Sequence, residues 1–410
     1  MADYHFQVGN DIGNSEQDIF VDGQLIRQPN TYIRQDRIPW IDEVNDEAFI
    51  SNIHEHLIVT IDSPEAPAGL YFIGESAINS KNSNSAHNMV VGIDRKSDSN
   101  LPIVNTIGNI AGVAVQRAYQ EKKNVPDSMK VTVDMATAIP YEEYKEQTGK
   151  TFEKRFTEGT HRATVHVGRK RVSVEVKFEF VKVLPEATPV IFALQKNSKD
   201  AWRKDDLFVD FKKKYKLSNM DGKFFTDKDV IHVDIGEGTT EYPITRGSRV
   251  DSNFQHGSNN GVGYAIEEAT PDFKQAVMQT EVPRNFFSKC LIDGDHKFHA
   301  AAMEHIHTPL QNQARAIFDN VKRQISAARN LVDVIVVYGG GSILMKDFLE
   351  PELDQLTDRL DIKLLYVPEK YAVTMNAEGL DLFVRGKIFS ALKEKVLGHK
   401  TEKEPAEVEG

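Results

Sequence analysis

Cysteine, long apolar runs and positive charge are all scarce in this chain, and each shortage excludes a class of protein. Cys290 is the one cysteine, so no internal disulfide can form and no paired-cysteine metal motif exists. No stretch reaches the ~18 apolar residues that a membrane span requires. The first residues lack a basic segment followed by an apolar one, and they lack an amphipathic pattern. We therefore expect a cytoplasmic protein in a reducing compartment, with no signal peptide and no membrane contact.

The charge balance is acidic, with 50 Lys and Arg residues against 61 Asp and Glu residues and a formal net charge of −11. A large direct DNA interface requires clustered cations that displace the counterions of the phosphate backbone. We therefore expect no direct contact with nucleic acid, although a partner protein that binds DNA is compatible with this charge. The 410 residues suffice for two domains, each with its own core.

Alternation of polar and apolar residues predicts a strand-rich first half. The clearest pattern is a β-hairpin over residues 162–183, in which the apolar residues from Val172 to Phe180 alternate with polar ones. Apolar residues spaced as on one helix face predict a helix over 101–122. Shorter runs predict strands at 4–8, 17–21, 24–27, 57–61, 70–73 and 130–139.

A second α/β pattern follows a polar, charge-dense segment at 196–229. Residues 230–235 form a predicted strand that enters a glycine turn. Another apolar strand is predicted over 334–338, after a helix that carries apolar residues at helical spacing. A last helix is predicted over 377–396.

Each half begins with a predicted strand followed by an Asp-x-Gly turn, which favours two related α/β domains. The predicted division places the first domain at 1–195, with a C-terminal helix at 377–397 that returns to it, an insertion or linker at 196–228, the second domain at 229–376, and a disordered tail at 398–410.

The strongest chemical motif runs from Val233 to Glu241. A strand that ends in Asp234 places a carboxylate at the mouth of a sheet. Gly236 and Gly238 then allow backbone N–H groups to approach phosphate oxygens, because no Cβ stands in the way. The hydroxyls of Thr239 and Thr240 are possible further donors. A tight turn without a ligand is the alternative interpretation, but one Asp, two Gly and two Thr within seven residues are unusual for a plain turn.

Two further turns support this interpretation. Asp11, Gly13, Asn14 and Ser15 repeat the strand and Asp-x-Gly pattern near the start of the chain, although alone such a turn needs no ligand. The run 339–342 (Gly-Gly-Gly-Ser) lies between an apolar strand and a helix, where a flat ligand or a phosphate can lie against the backbone. A flexible connecting turn is the alternative for this run.

Together, these three motifs resemble the phosphate 1, phosphate 2 and adenosine motifs of the superfamily of actin, sugar kinases and heat-shock chaperone ATPases. Within it, the chain looks most like the bacterial plasmid-segregation actins of the ParM type, over roughly residues 4–396. This narrower resemblance is carried by residues 70–77 (LYFIGESA), 139–144 (IPYEEY) and the hairpin end at 183–186 (VLPE).

The resemblance implies an α/β fold of two actin-like (ribonuclease-H-like) domains with a nucleotide cleft between them, and ATP or GTP with Mg²⁺ as ligands. It places Asp11 and Asp234 beside the metal. It also places Glu186 where ParM-like proteins have the glutamate that orients the attacking water, so Glu186 and Asp234 are the predicted catalytic residues; a helix-capping carboxylate is the alternative for Glu186. The predicted nucleotide-binding residues are Asp11, Gly13, Asn14, Ser15, Gly236, Glu237, Gly238, Thr239, Thr240, Gly261, Gly339, Gly340, Gly341 and Ser342.

The chain departs from the family pattern at Glu237, where a glycine is often found. A carboxylate so close to phosphates is expected to point away from them or to face the metal. Two other signals are discounted. The run 149–151 (Gly-Lys-Thr) lacks the earlier glycine of a P-loop, since position 144 is Tyr144. The histidines between His296 and His307 do not have the spacing of a metalloprotease site.

The resemblance implies an ATPase that polymerises into filaments under nucleotide control and segregates plasmid DNA through a DNA-binding adaptor protein. Chaperone-like ATPases and small-molecule kinases of the same superfamily are the alternatives. A chaperone would be expected to carry a substrate-binding domain after the nucleotide domain, and a kinase would need a substrate pocket with a catalytic Asp. Neither is identifiable in the sequence, nor is an amphipathic anchor of a membrane-linked actin.

Overall fold

The computed structural model describes residues 2–38, 46–90, 93–247, 249–254 and 256–401. These residues form two β-sheets, each covered by helices, with a cleft between the two halves. Of the predicted disordered tail 398–410, residues 402–410 lie outside the described residues, and the prediction is wrong for residues 398–401, which belong to the last helix.

A nine-stranded sheet forms the first half. Its spatial order is β3-β2-β1-β7-β9-β8-β5-β6-β4, in which β1, β7 and β9 run parallel and the other neighbours run antiparallel. The strands are β1 (Ala2–Ile12), β2 (Glu16–Val21), β3 (Gln24–Pro29), β4 (Tyr32–Gln35), β5 (Ile58–Ser63), β6 (Ala66–Ile73), β7 (Ser128–Ile139), β8 (His161–Val167) and β9 (Lys170–Pro185).

One face of this sheet is covered by helices α1 (Asp46–Ser51), α3 (Leu101–Lys122) and α4 (Glu146–Thr157), whereas the short helix α2 (Glu75–Ile78) packs through Ala77 in a separate apolar cluster with Ile33, Ile58 and Phe72. The long helix α3 is buried along most of its length and shares one apolar cluster with the strands. Successive side chains of a strand point to opposite faces, so Val131 and Val133 of β7 join this cluster while Ala136 and Ala138 face the other side.

The second half is built on a seven-stranded sheet. At its centre, β10 pairs in parallel with β15, which pairs in turn with β16; β10 also pairs antiparallel with β11 and β12. The strands are β10 (Asp229–Ile235), β11 (Thr240–Glu241), β12 (Ile244–Arg246), β13 (Arg249–Val250), β14 (Gly257–Ser258), β15 (Val334–Tyr338) and β16 (Lys363–Tyr366).

Helices lie on both faces of this second sheet. Ile231, Val233 and Ile235 of β10 face one layer of helices, and Val230 faces the other. In chain order the helices of this half are α5 (Val190–Gln195), α6 (Val209–Lys214), α7 (Val262–Ala276), α8 (Arg284–Ile292), α9 (His299–Ala327), α10 (Gly340–Leu344), α11 (Lys346–Leu360) and α12 (Glu369–Ala372).

The polar segment 196–228, predicted to be an insertion or linker, packs against the second sheet. It contains α6 and two short 3-10 helices, Asp206–Phe208 and Gly222–Asp227. Phe208, Phe211 and Phe225 are buried in one cluster with strand residues of β10 and β15. Buried residues of α5 join the same cluster, so by its packing α5 lies with the second half.

The chain returns to the first half at its end. The single helix predicted over 377–396 is two helices, α13 (Met375–Val384) and α14 (Lys387–Thr401), separated at Gly386. Leu380, Phe383 and Phe389 pack against Ala136 and Phe180 on the face of the nine-stranded sheet opposite to α3. The strands predicted in both halves and the helix over 101–122 are confirmed.

Candidate nucleotide site

The cleft brings together the two Asp-x-Gly turns that the sequence analysis identified. Asp11 lies at the end of β1 and Asp234 near the end of β10, so each carboxylate is at the carboxyl end of a strand that starts its half. The carboxylate of Asp234 is close enough to Asp11 to contribute to a raised pKa of Asp11. The structure therefore brings together the two predicted metal-binding aspartates.

Burial dominates the electrostatics of both aspartates. Desolvation raises the pKa of Asp11 well above its usual value, and the nearby Lys96 partly offsets this rise. Desolvation likewise raises the pKa of Asp234 to about 7, against a hydrogen bond from Asn376 that lowers it. Carboxylates that are destabilised by burial gain most from a bound cation, and oxygen ligands of this kind suit Mg²⁺.

Lys96 was not identified from the sequence, and it is the cation that faces these carboxylates. Its ammonium contacts the carboxylate of Glu186, which follows β9, and lies near Asp11. Lys96 is 3% exposed. Its pKa is raised, because the attraction of Glu186 and Asp11 exceeds the effect of desolvation. Lys96 is therefore charged in the cleft.

Glu143 positions the loop that carries Lys96. Its carboxylate accepts hydrogen bonds from the backbone N–H of Lys96 at 3.1 Å and from the hydroxyl of Ser97 at 3.2 Å. Glu143 thus supports Lys96 from outside the cleft. The capping role considered for Glu186 is not observed, since α5 begins after Pro189 and has no side-chain cap.

Asn376, also missed in the sequence, connects the two halves. Its amide Nδ2 donates to the Asp234 carboxylate at 2.6 Å, and its Oδ1 accepts the backbone N–H of Ala187 at 3.2 Å. Asn376 lies in the first turn of α13, so one amide joins Asp234 to the residue after Glu186. No local sequence motif identifies Asn376, because both of its hydrogen-bond partners are distant in the chain.

The structure shows which groups the carboxylate of Glu237 contacts. Its carboxylate accepts a hydrogen bond from Ser15 of the other half and lies 3.9 Å from the Arg284 guanidinium. Burial raises the pKa of Glu237, and Arg284 and Ser15 oppose that rise. The carboxylate therefore links the two turns.

Two of the predicted ligand side chains are committed elsewhere. The Thr240 hydroxyl is buried and donates to the carbonyl of Asn260 at 2.5 Å. The Ser342 hydroxyl is buried and donates to the carbonyl of Gly339 at 2.7 Å. Each hydroxyl has a single proton, so neither can donate to a phosphate in this arrangement. The hydroxyls of Thr240 and Ser342 therefore stabilise the two turns, and their assignment to the nucleotide site stays a prediction.

The glycines of the predicted site have distinct roles. Gly339 has φ of +88°, and a Cβ there would lie 2.8 Å from the Asp234 carboxylate. At Gly340 a Cβ would meet nothing within 4 Å, so this position faces open space. Gly261 instead packs against the backbone of Glu237, where a Cβ would lie 2.3 Å from the carbonyl oxygen. Glycine at position 261 therefore allows the backbone of the Glu237 turn to pack closely against it.

The discounted signals remain without a site. The Gly149 to Thr151 run lies within helix α4, not in a phosphate loop. Among the described residues, the histidines between His296 and His307 do not converge with other possible ligands. The side chains of His5, Asp134 and Glu179 do lie close enough together to hold a metal ion. The Lys393 ammonium, however, already contacts both carboxylates of this group. Within the described ranges, every helix is too short or too polar to cross a bilayer.

Comparisons with known proteins agree with this architecture. Residues 232–351 match the family model described as "Archaeal actin homologue MreB-like, C-terminal". No curated protein sequence matches the chain significantly. The actin-like protein Alp7A superposes with a TM-score of 0.68 at 16% identity, covering 98% of this chain and 100% of Alp7A.

ParM proteins are similar as well. Bacillus thuringiensis ParM with ATP gives a TM-score of 0.59 at 14% identity over 95% of this chain and 99% of that one. The ParM of a 15-stranded filament from Clostridium botulinum gives 0.61 at 14% identity, over 93% and 99%. At these identities the likeness establishes the fold. The chain has the two-domain actin-like fold that the resemblance implied, and ParM and Alp7A share this fold.

Proposed function

We propose that the chain is a nucleotide-dependent ATPase that polymerises into filaments. The observation that carries the proposal is the cleft itself. Two Asp-x-Gly turns from the two halves face each other, with Glu186 and Lys96 between them. The similarity to proteins whose structures are described with ATP, with ADP and as a filament supports it.

The residues of the cleft fit a Mg²⁺-nucleotide. Asp11 and Asp234 would hold the ion, directly or through its waters, because their buried carboxylates lack a compensating positive charge other than Lys96 among the described residues near them. Bound Mg²⁺ supplies charge neutralisation for the phosphates. The backbone N–H groups of Asn14 and Ser15 have no hydrogen-bond partner among the described residues and suit phosphate oxygens.

In this assignment Glu186 orients the attacking water by accepting its hydrogen bonds. Phosphoryl transfer needs an in-line nucleophile and charge neutralisation more than a strong base, so an ionised carboxylate is sufficient. The ammonium of Lys96 contacts the carboxylate of Glu186 and fixes its direction. Asn376 holds Asp234 and the backbone beside Glu186 in one arrangement.

Polymerisation follows from the location of the cleft between the halves. A nucleotide that contacts both turns favours one relative orientation of the halves, and a subunit contact formed only in that orientation becomes nucleotide-dependent. A head-to-tail contact that does not close generates a filament. We further propose plasmid DNA as the cargo, joined through a DNA-binding adaptor protein, since the net charge of −11 disfavours direct DNA contact.

Light scattering and sedimentation test the proposal. Addition of Mg-ATP or Mg-GTP to tens of micromolar protein is expected to produce polymer above a critical concentration, together with release of phosphate. Nucleotide binding without polymer would favour the kinase or chaperone alternatives. Absence of nucleotide binding would overturn the proposal.

A further inference from the structure

Asn30 holds the first phosphate turn from one side through two hydrogen bonds. Its side-chain Nδ2 donates to the carbonyl oxygen of Gly13 at 2.6 Å, and its backbone N–H donates to the carbonyl oxygen of Ser15 at 2.8 Å. Asn30 is 1% exposed, so water does not compete for these bonds. One residue therefore fixes two carbonyl groups of the turn.

Asn105 of helix α3 fixes Asn30 in turn. The Nδ2 of Asn105 donates to the Oδ1 of Asn30 at 2.9 Å. Asn105 is fully buried, and its own amide oxygen has no partner among the described residues. An unpaired buried amide oxygen has a free-energy cost, which the hydrogen bond from the Nδ2 of the same side chain offsets. The polar contribution of Asn105 is its bond to Asn30.

The geometry of the peptide bond between Gly13 and Asn14 sets the direction of the Asn14 N–H. The carbonyl of Gly13 and the N–H of Asn14 belong to one planar trans peptide and point in opposite directions. Because the carbonyl points at Asn30, the N–H of Asn14 points away from Asn30. A Cβ at Gly13 would lie 2.7 Å from the carbonyl oxygen of Glu16, so the turn is too tight for another residue.

We propose that Asn30 and Asn105 are positioning residues that aim the Asn14 N–H at the phosphate of the bound nucleotide, an inference that rests on the proposed function. Neither side chain touches the nucleotide. The ligand group is an anionic phosphate oxygen, which a backbone N–H suits as a donor. The two asparagines should therefore affect phosphate recognition selectively.

The test compares variants of the full chain by calorimetry. Asn30→Ala removes both side-chain bonds, Asn30→Asp keeps the acceptor for Asn105 but loses the donor to Gly13, and Asn105→Leu leaves Asn30 without its support. Ser63→Ala is the matched control. It also removes a buried side-chain hydrogen bond, to His161 at 2.8 Å, but on β5, which three strands separate from β1.

The dissociation constants of Mg-ADP and of adenosine are measured for each variant, with GDP and guanosine in parallel, and thermal unfolding is recorded. Both Asn30 variants should bind the diphosphate about tenfold more weakly, and Asn105→Leu about threefold, as expected when one hydrogen bond is misaligned. Binding of the nucleoside should not change. The Ser63→Ala control should bind both ligands as the unmodified protein does.

Each outcome is informative. If the unmodified protein binds no nucleotide, the proposed function fails and the inference fails with it. If it binds the diphosphate and the Asn30 variants bind equally well, the inference alone is overturned. Equal weakening for diphosphate and nucleoside would show general loosening of the turn and would also overturn it. If Asn30→Ala does not fold, Asn30→Asp and Asn105→Leu decide the question.

Discussion

The ammonium of Lys96 forms an ion pair with the carboxylate of Glu186 inside the cleft, with side-chain exposures of 4% and 13%. A pair this well shielded from water has to be satisfied internally, because either charge alone would be costly. The pair also places one positive charge among several carboxylates where nucleotide phosphates are proposed to bind. The contribution of this ion pair to the free energy of unfolding and its contribution to the rate of hydrolysis can be measured separately.

Glu186→Gln should separate binding from hydrolysis. Glutamine keeps the size of the side chain but removes the charge that orients the water, so we expect nearly normal nucleotide affinity and hydrolysis slower by about 10²–10⁴-fold. Phosphate release under single-turnover conditions is the measurement. Glu146→Gln on α4 is the control, since that side chain is 82% exposed. Hydrolysis at the normal rate would move the role to another carboxylate, Glu142 first, because the Glu143 carboxylate already accepts hydrogen bonds from Lys96 and Ser97.

Lys96→Met should destabilise the nucleotide-free protein, because it leaves Glu186 unpaired near Asp11. Truncation of one partner of a buried pair costs up to about 3–5 kcal/mol in the free energy of unfolding. The double variant Lys96→Met/Glu186→Gln should recover a large part of this loss. Urea unfolding of the four proteins gives the coupling energy. Additive effects of the two substitutions would mean that the ion pair does not form in solution.

Asp234→Ala should weaken binding of the Mg-nucleotide or its turnover strongly, because it removes one of the two carboxylates proposed to hold the ion. Titration with Mg²⁺ at fixed nucleotide is the measurement, and the half-saturating Mg²⁺ concentration should rise at least about tenfold, the loss of one charged contact. Asp229→Ala is the matched control at the other end of β10, where the carboxylate pairs with Arg246. Unchanged turnover at saturating Mg-ATP would remove Asp234 from the site.

Acid should destabilise the fold partly through His232, which is fully buried on β10. Desolvation lowers the pKa of His232 to about 3, against about 6.5 in an unfolded chain. The unfolded state therefore binds more protons between these values, and stability is lost as the pH falls below about 6.5. His232→Gln should reduce the slope of unfolding free energy against pH by up to about 1.4 kcal/mol per pH unit. The exposed His307→Gln should leave the slope unchanged; an equal slope in His232→Gln would contradict burial of a neutral imidazole.

Polymer lifetime should depend on hydrolysis if the filament proposal holds. Subunits of Glu186→Ala are expected to stay loaded with unhydrolysed nucleotide, so their polymer should outlast that of the unmodified protein. Sedimentation and electron microscopy over time after addition of limiting Mg-ATP are the measurements. Disassembly at the same rate in both proteins would separate polymer turnover from Glu186.

Local patterns were sufficient for the parts of the site that form within one stretch of chain. Asp11 and Asp234 each stand beside a glycine turn at the end of a strand, and that arrangement is visible in the sequence. Lys96 and Asn376 were missed because their partners are distant in the chain and neither lies in a motif. Their roles depend on how loops and helices pack in three dimensions.

Other features that the sequence does not reveal have the same origin. Thr240 and Ser342 belong to motifs that suggest ligands, but their hydroxyls are satisfied by nearby carbonyls, which only the folded backbone reveals. The segment 196–228 is polar overall, and its few aromatic side chains are buried together, so average composition concealed a packed layer.

The return of α13 and α14 to the first sheet affects the order in which the protein can fold during synthesis. The ribosome completes all nine strands of that sheet before these helices exist. Until the helices emerge, Ala136 and Phe180 on the uncovered face remain open to water and to other nascent chains. From these last residues the second half receives the apolar side chain of Met375 and two polar contacts, Asn376 with Asp234 and Glu378 with Arg203, while its two helical layers are otherwise complete by then. The half that is translated first is therefore the one that is finished last.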